Sequence, residues 1–416
     1  MTALRLSILL LCLGGGGWHL ERERQAGRLR QVDEWFLDFL TANARERLET
    51  PDPAAAPEVA LVTLRERDRA EYAAWPPPPL DWRTILQGLA PFEPDVLVVA
   101  APLNWGQPAP DFLPALAEAL LAFPSVVLGM EAQWQDVPPP HAPFLGGLED
   151  QLPRLSNVSG DAELAPSLKA LVTAPDPALL GQSELGVLAV RAEGGGWRLP
   201  YALRAGDALV PALAAQALAR RVRTPYALHR LRLGPGAGAF LEQGRFVPLA
   251  VNGEMRVSAP AEGVPEVSAL GLMTGTLAEG LPAVEKQALS GGRIVVIGIE
   301  AADGSCEARL LARALAGALA LPRLRVLTLR EQWAVWAASG LAAAWLVLRV
   351  RRGRALSTGA GLMFAALVAV FLVFQSALVW CPPTMPVFAL ASGALIARIF
   401  GRAGAGNAAP QPEKAP

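Results

Sequence analysis

Three apolar runs close this chain, and they restrict where everything before them can lie. They are Trp333–Val350, Ala355–Trp380 and Pro386–Phe400. A bilayer core about 30 Å thick needs roughly 20 mostly apolar residues per spanning helix. The middle run has that length and holds no charge. The first ends in Arg349, where a long side chain can reach the interface. The third is shorter and carries Arg398 near its end. Buried core helices are the alternative, but such helices rarely run this far without a charge. The spacing therefore predicts a membrane block over 331–400, with Trp333, Trp336 and Trp380 as interfacial anchors.

Composition agrees with a mixed layout. Hydrophobic residues make up 52% and charged residues 18% of the chain, and mean hydropathy is +0.31. That is too apolar for an ordinary soluble protein and too charged for an all-membrane transporter. A net charge of −1 gives no pull toward nucleic acid. With 3 Cys and 3 His, all scattered, neither a disulfide framework nor a metal or other cofactor site is expected.

At the amino end, Leu4–Leu13 is apolar apart from Arg5 and Ser7, and four glycines follow. The run reads as a signal peptide or an uncleaved anchor over 1–20, and no small-x-small cleavage site precedes the glycines, which favours an anchor. Glu21–Leu48 reads as an amphipathic helix, with Leu29, Val32, Phe36, Phe39 and Leu40 at helical spacing, packed on the domain that follows. A Pro/Ala linker occupies 51–57. Buried strands are then predicted at Val59–Leu64, Asp95–Ala100, Ser125–Met130 and Arg293–Gly298. Helices are predicted at Asp81–Leu89, with Asp81 as cap, at Asp111–Phe123, at Asp207–Arg221 and at Glu307–Leu319. Gln135–Leu164 reads as loop. One hairpin is expected around Glu193–Gly196 and another at Asn252-Gly253, a two-residue turn needing positive φ at both positions. The fold class is thus α/β, a mostly parallel sheet plus hairpins over 21–330, then three transmembrane helices and a short tail over 401–416.

Charge sets the orientation. Arg349, Arg351, Arg352 and Arg354 lie between the first two C-terminal runs, and Arg402 and Lys414 lie in the tail. The positive-inside rule puts both in the cytoplasm. The α/β domain is then extracytoplasmic, and the chain a multi-pass protein of the inner (plasma) membrane. The arginines between Glu21 and Arg30 run against this orientation.

The order of features resembles the second type of CHASE domain, a sensory extracellular domain associated with cyclases and histidine kinases. The likeness spans about 30–400. It is carried by Val32–Leu40, by Val59–Leu64 followed by Trp75-Pro76, by Pro94–Ala101, by Leu180-Gly181 with Trp197-Arg198-Leu199-Pro200, by Phe246–Gly253, by Gly271–Gly275 and by Leu289–Gly298. The chain departs from the family pattern at Arg65, Ala101 and Pro79, and the short stretch after Phe400 holds no output domain. The resemblance implies a sensory domain with an N-terminal anchor and three spans; Arg198 falls in its hairpin segment, and Arg83 lies near the place where Pro79 replaces the family's arginine. It implies signalling through a separate partner.

Candidate binding residues follow from placement as well. Trp75, Trp82, Trp105 and Trp134 fall near the carboxyl ends of predicted strands, where α/β sheets bind ligands. They line a pocket, or else they shield the domain edge or rest on the membrane. Glu131 and Asp136 flank Trp134 and read as ligand groups or solvated loop acids. Gly234–Ala239 fits no phosphate-cradling pattern, and Ser183 fits no nucleophile turn. No nucleophile–base pair is visible, so the chain reads as non-enzymatic. The expected ligand set is Trp75, Arg83, Trp105, Trp134 and Arg198. The expected partners are membrane lipid and a separate signalling or envelope protein, with a homo-oligomer compatible. Two functions fit: a membrane-anchored sensory protein, or an assembly subunit of an envelope complex that uses a degenerate sensory domain as interaction surface.

Overall fold

The computed structural model describes residues 2–25, 30–52, 58–106, 111–136, 147–148, 151–181, 183–193, 196–255, 263–274, 286, 289 and 293–400. The expected tail, most of the 51–57 linker and residues 137–146 and 149–150 of the loop expected over Gln135–Leu164 lie outside them; the described part of that stretch is not all loop, because Asn157–Ser159 pairs as a strand with Arg230–Arg232. The chain forms two compact units, Arg45–Arg323 and Met1–Ala44 with Leu324–Pro416.

The strands of the first unit are β1 (Val59–Leu64), β2 (Val96–Val99), β3 (Val126–Gln135), β4 (Asn157–Ser159), β5 (Ser167–Thr173), β6 (Glu184–Leu188), β7 (Arg191–Glu193), β8 (Gly196–Arg198), β9 (Ala202–Ala205), β10 (Ala208–Pro211), β11 (Arg230–Arg232), β12 (Gly238–Leu241), β13 (Arg245–Pro248), β14 (Glu266–Ser268) and β15 (Ile294–Ile299). A nine-stranded sheet runs β10-β9-β5-β3-β2-β15-β1-β14, with β6 also on β3. Its centre is parallel: β14, β1, β15, β2 and β3 pair in that sense. The Val/Ile/Leu runs of β1, β2 and β15 are buried on both faces, which is why they read as continuous apolar strings.

Side chains alternate between two cores. Ala60, Val62, Leu97, Val99, Leu128 and Ile297 meet Trp82, Ile85, Leu86 and Leu116 from helices Pro79–Leu89 and Leu113–Leu120. Val59, Leu61, Val96, Val98, Ile294 and Val296 meet Leu213, Leu218, Leu311 and Leu315 from helices Leu213–Arg221 and Glu307–Ala320. Glycine sets two of these approaches. A Cβ on Gly298 would sit 2.1 Å from that of Ala308, and one on Gly186 would sit 2.8 Å from Leu213 Cα. A smaller sheet, β13-β12-β11-β4, packs into the second core.

Several local expectations change. Asp81 does not cap its helix; Pro78 holds that position, and buried Asp81 accepts the Ala73 N–H at 3.0 Å. The helix expected from Asp207 starts at Leu213, because Ala208–Pro211 pairs with Ala202–Ala205 across Gly206, whose φ is +62°. The hairpin at Glu193 is present as β7–β8. The turn at Asn252-Gly253 is a three-residue loop: only Gly253 has positive φ, Gly253 N–H donates to Ala250 O, and Ala250 N–H to Glu254 O. β3 runs on to Gln135, so Glu131 and Trp134 lie on a strand rather than past one.

In the second unit, Thr2–Gln25 is one helix that continues through the four glycines. Those glycines make room for aromatic rings: a Cβ on Gly16 would meet Phe388 at 2.5 Å, and one on Gly17 would meet Trp336 at 2.8 Å. Helix Arg30–Asn43 packs Phe36 on Trp380 and Phe39 on Phe371. Helices Leu329–Arg349, Ala355–Ala377 and Thr384–Phe400 follow. Among the described residues, two stretches, Ala3–Leu20 and Arg352–Ala377, are long and apolar enough to cross a bilayer; Thr384–Phe400 is apolar but shorter. Leu329–Arg349 has the length, but Trp333, Trp336, Ser339, Gly340 and Trp345 dilute its apolar residues.

Candidate ligand-binding site

The carboxyl edge of the parallel strands carries a dense charge network. Glu266 of β14 accepts the Thr63 hydroxyl at 2.7 Å and two Arg309 N–H groups at 3.1 Å. Arg65 lies 3.8 Å away, and Arg309 also reaches Glu300 at 3.5 Å. Burial alone would raise the Glu266 carboxyl; the hydrogen bonds from Arg309 and Thr63 outweigh it and hold the group below the ordinary range. Ser268 bonds Asp68 at 3.2 Å. Arg65, Arg309, Glu266 and Glu300 thus pair with one another within the protein. The departure at Arg65 noted in the sequence is part of this network.

Of the five expected contacts, the structure brings two together. Trp134 is buried on β3, with the Arg191 guanidinium 4.2 Å and that of Arg198 5.3 Å from its ring centre. Arg198 donates to Asp136 at 2.7 and 2.8 Å and also bonds Glu254. That hydrogen bond pulls the Asp136 carboxyl below its usual range. Two arginines thus lie over one indole, and Arg198 with its two carboxylates ties β8 and the Gly253 turn to the end of β3. Trp75 packs its ring 5.5 Å from that of Tyr72, and Trp105 donates its indole N–H to Pro77 O at 2.9 Å; both are half-buried against the first core. Arg83 is half-buried on helix Pro79–Leu89. Trp82 is wholly inside the core. Ser183 donates to Leu179 O.

The opposite, amino edge of the sheet opens into a cleft of about 680 Å³. Asp95, Ser125, Ser183 and Glu184 come from the starts of β2, β3 and β6; Arg220, Arg221 and Arg223 come from the end of helix Leu213–Arg221. The helix end favours cations there. Arg220 donates to Glu184 at 2.7 Å, beside the Tyr226 hydroxyl, 2.9 Å from the same carboxylate oxygen. Burial first, then the Glu184 charge, raise the Tyr226 hydroxyl well above its usual value, so it stays a donor. Arg221 bridges Glu58 at 2.7 Å and Asp95 at 3.1 Å. Arg223 is exposed, and among the described residues it has no ion-pair partner.

The backbone under Arg223 is unusual. Thr224 N–H donates to Ala219 O at 2.8 Å and Arg223 N–H to Arg220 O at 3.1 Å, the pair of bonds that ends a helix in a left-handed residue. Glycine normally fills that place. Here Arg223 does, at φ +54°. A side chain in this conformation costs roughly 1–2 kcal/mol, and such strain gathers at functional positions. The arrangement can seat one anionic group on Arg223, with the Ser125 and Ser183 side of the cleft to hold polar atoms. Sequence reasoning missed this cluster. Its only local trace was Arg220-Arg221-Val222-Arg223, which reads as an ordinary basic helix end. Among the described residues, no cluster of three or more His, Cys, Asp or Glu is placed to hold a metal ion. Searches with this chain found no matching protein family, no matching curated protein and no matching solved structure.

Proposed function

We propose that this is a membrane-anchored sensory or ligand-binding protein of the kind its resemblance to second-type CHASE domains implies. The α/β unit takes a small ligand bearing an anionic group in the amino-edge cleft. The observation that carries this reading is Arg223, a cation in a left-handed backbone conformation that lines a polar cleft and has no ion-pair partner among the described residues. The remaining charges of the cleft are matched by Glu184, Glu58 and Asp95, so affinity for an anion rests on one side chain.

In this reading the helices of the second unit form a multi-pass block in the inner membrane. Thr2–Gln25 serves as anchor, and Thr384–Phe400 and Leu329–Arg349 cross alongside Arg352–Ala377, supported by the packing of Thr384–Phe400 against both Ala343 and Gly359. Arg351, Arg352 and Arg354 face the cytoplasm and the α/β unit lies outside. A separate protein receives the signal. An assembly role is the second reading; it is favoured by Trp197 and Val251, two large apolar side chains exposed on β8 and on the Gly253 turn.

The test is thermal unfolding of the full-length protein in mild detergent, with inorganic phosphate and a panel of small carboxylates. A ligand at a hundredfold excess over its Kd adds about 2.7 kcal/mol and raises Tm by several degrees. An Arg223→Gly variant that keeps the full response, or a wild type that responds to none, overturns the sensory reading.

A further inference from the structure

We infer that helix Arg30–Asn43 lies in the lipid headgroup layer, with Val32, Trp35 and Phe39 facing the bilayer. The inference rests on the membrane reading above and adds a lipid-binding surface to it.

The helix has one broad apolar stripe, buried along one side and exposed along the other. Phe36 and Leu40 are buried. Val32, Trp35 and Phe39 recur three and four residues apart along the other side of that stripe and are exposed, Trp35 by 70%. Such a face on a short polar helix suits a membrane interface.

Its level in the unit is fixed by contacts. Leu9 shares a cluster with Ala343 and Val347, Leu13 lies 3.4 Å from where a Gly340 Cβ would be, and Gly17 faces Trp336. Helices Thr2–Gln25 and Leu329–Arg349 therefore run antiparallel, which puts Trp18 level with Trp333. Arg325–Val326, just before the second of these, pairs with Val379–Trp380, just after helix Ala355–Ala377. Trp18, Trp333 and Trp380 thus share one end, and Arg351, Arg352 and Arg354 the other. Trp18 is 67% and Trp333 55% exposed. Tryptophans gathered at one end of apolar helices mark a membrane–water interface. Helix Arg30–Asn43 joins this end: the ring centres of Phe36 and Trp380 are 6.4 Å apart, and those of Phe39 and Phe371 6.0 Å. Phe371 precedes the end of its helix by six residues, or about 9 Å at 1.5 Å per residue. That matches the 5–10 Å to which interfacial helices sink.

The experiment places the photo-cross-linker p-benzoylphenylalanine at Trp35, at Val32 or at Phe364 of the full-length protein. Phe364 is exposed on helix Ala355–Ala377. The protein is reconstituted in phosphatidylcholine–phosphatidylglycerol vesicles, irradiated, and its adducts identified by mass spectrometry. Lipid adducts at all three positions are expected. Lipid at Phe364 with only protein adducts, or none, at Trp35 and Val32 overturns the inference and leaves the membrane reading standing. No lipid adduct at Phe364 removes the membrane reading, and the inference falls with it.

Discussion

The Tyr201 hydroxyl lies 2.7 Å from His229 Nε2, and both side chains are fully buried. Tyr201 leads into β9 of the large sheet and His229 into β11 of the small one, so the pair joins the two. Burial pushes the His229 imidazole down to about 4 from 6.5. The folded state therefore holds it neutral where the unfolded chain takes up a proton. Stability from this group is complete above about pH 6.5, falls as the pH drops, and is gone below about 4. The loss across that window is about 3 kcal/mol. Thermal unfolding of wild type and His229→Gln from pH 7.5 to 4 isolates it, because the carboxylates are common to both. Parallel pH curves for the two proteins would show that His229 is not the titrating group.

Arg245 closes the end of helix Glu307–Ala320. Its Nη1 donates to Leu319 O at 2.6 Å, Leu321 O at 3.1 Å and Ala318 O at 3.4 Å, with the side chain 2% exposed. Burial lowers the guanidinium to about 10, so it remains charged at neutral pH. Arg245→Met keeps the apolar stem but leaves those carbonyls unpaired. Hydrogen bonds to charged groups contribute about 1.5–3 kcal/mol, and orphaned buried acceptors add to the loss. Arg245→Met should destabilise by about 3 kcal/mol, read as a lower Tm. A change under about 0.5 kcal/mol, the scale of a neutral surface substitution, would mean that water replaces the guanidinium.

In the proposed binding role, Arg223 sets stability against binding. Glycine adopts φ near +54° without the Cβ penalty, so Arg223→Gly should gain roughly 1 kcal/mol in the absence of ligand. The same variant should lose the anion response of the wild type. Arg223→Lys keeps the charge and the strain, and should retain part of that response with no gain in stability. If Arg223→Gly melts below the wild type, the arginine is a structural brace and the strain argument for the cleft fails.

Much of the α/β unit is legible in the chain. Val59–Leu64 is predicted and observed over the same residues, and β2, β3 and β15 are found within a few positions. Continuous Val/Ile/Leu runs have one good solution, a strand buried on both faces. Short strands at the sheet margins carry no such signature. Ala208–Pro211 joined the Ala-rich string after it into one apparent helix, and only its partner Ala202–Ala205 makes it a strand. β3 outruns its apolar core because β5 pairs with Glu131–Gln135, a non-local contact. Glycine is a poor helix former, yet helix Thr2–Gln25 runs through Gly14–Gly17, where Trp336 and Phe388 pack against Gly17 and Gly16. Arg223 is hidden for a related reason. Nothing in the residue type announces a left-handed conformation, whereas an Asn or Gly would have done so.

The apolar helices meet through small residues, and this gives a test of the second unit on its own terms. A Cβ on Gly393 would lie 2.7 Å from Ala343 Cβ and 2.8 Å from its Cα; one on Gly359 would lie 2.3 Å from Ala394 Cβ. Both contacts sit between helices. In a bilayer, lipid tails are as apolar as leucine, so helices associate through close packing of small residues rather than by excluding water. Gly393→Leu forces backbone apart, where no flexible side chain can yield. Overpacking of this kind costs about 1–3 kcal/mol. Gly361 is the matched control, because a Cβ there meets nothing within 4 Å. Gly361→Leu should leave the melting temperature in detergent near that of wild type, while Gly393→Leu lowers it by several degrees. Equal behaviour of the two variants would mean that the Ala343–Gly393 contact does not hold these helices together.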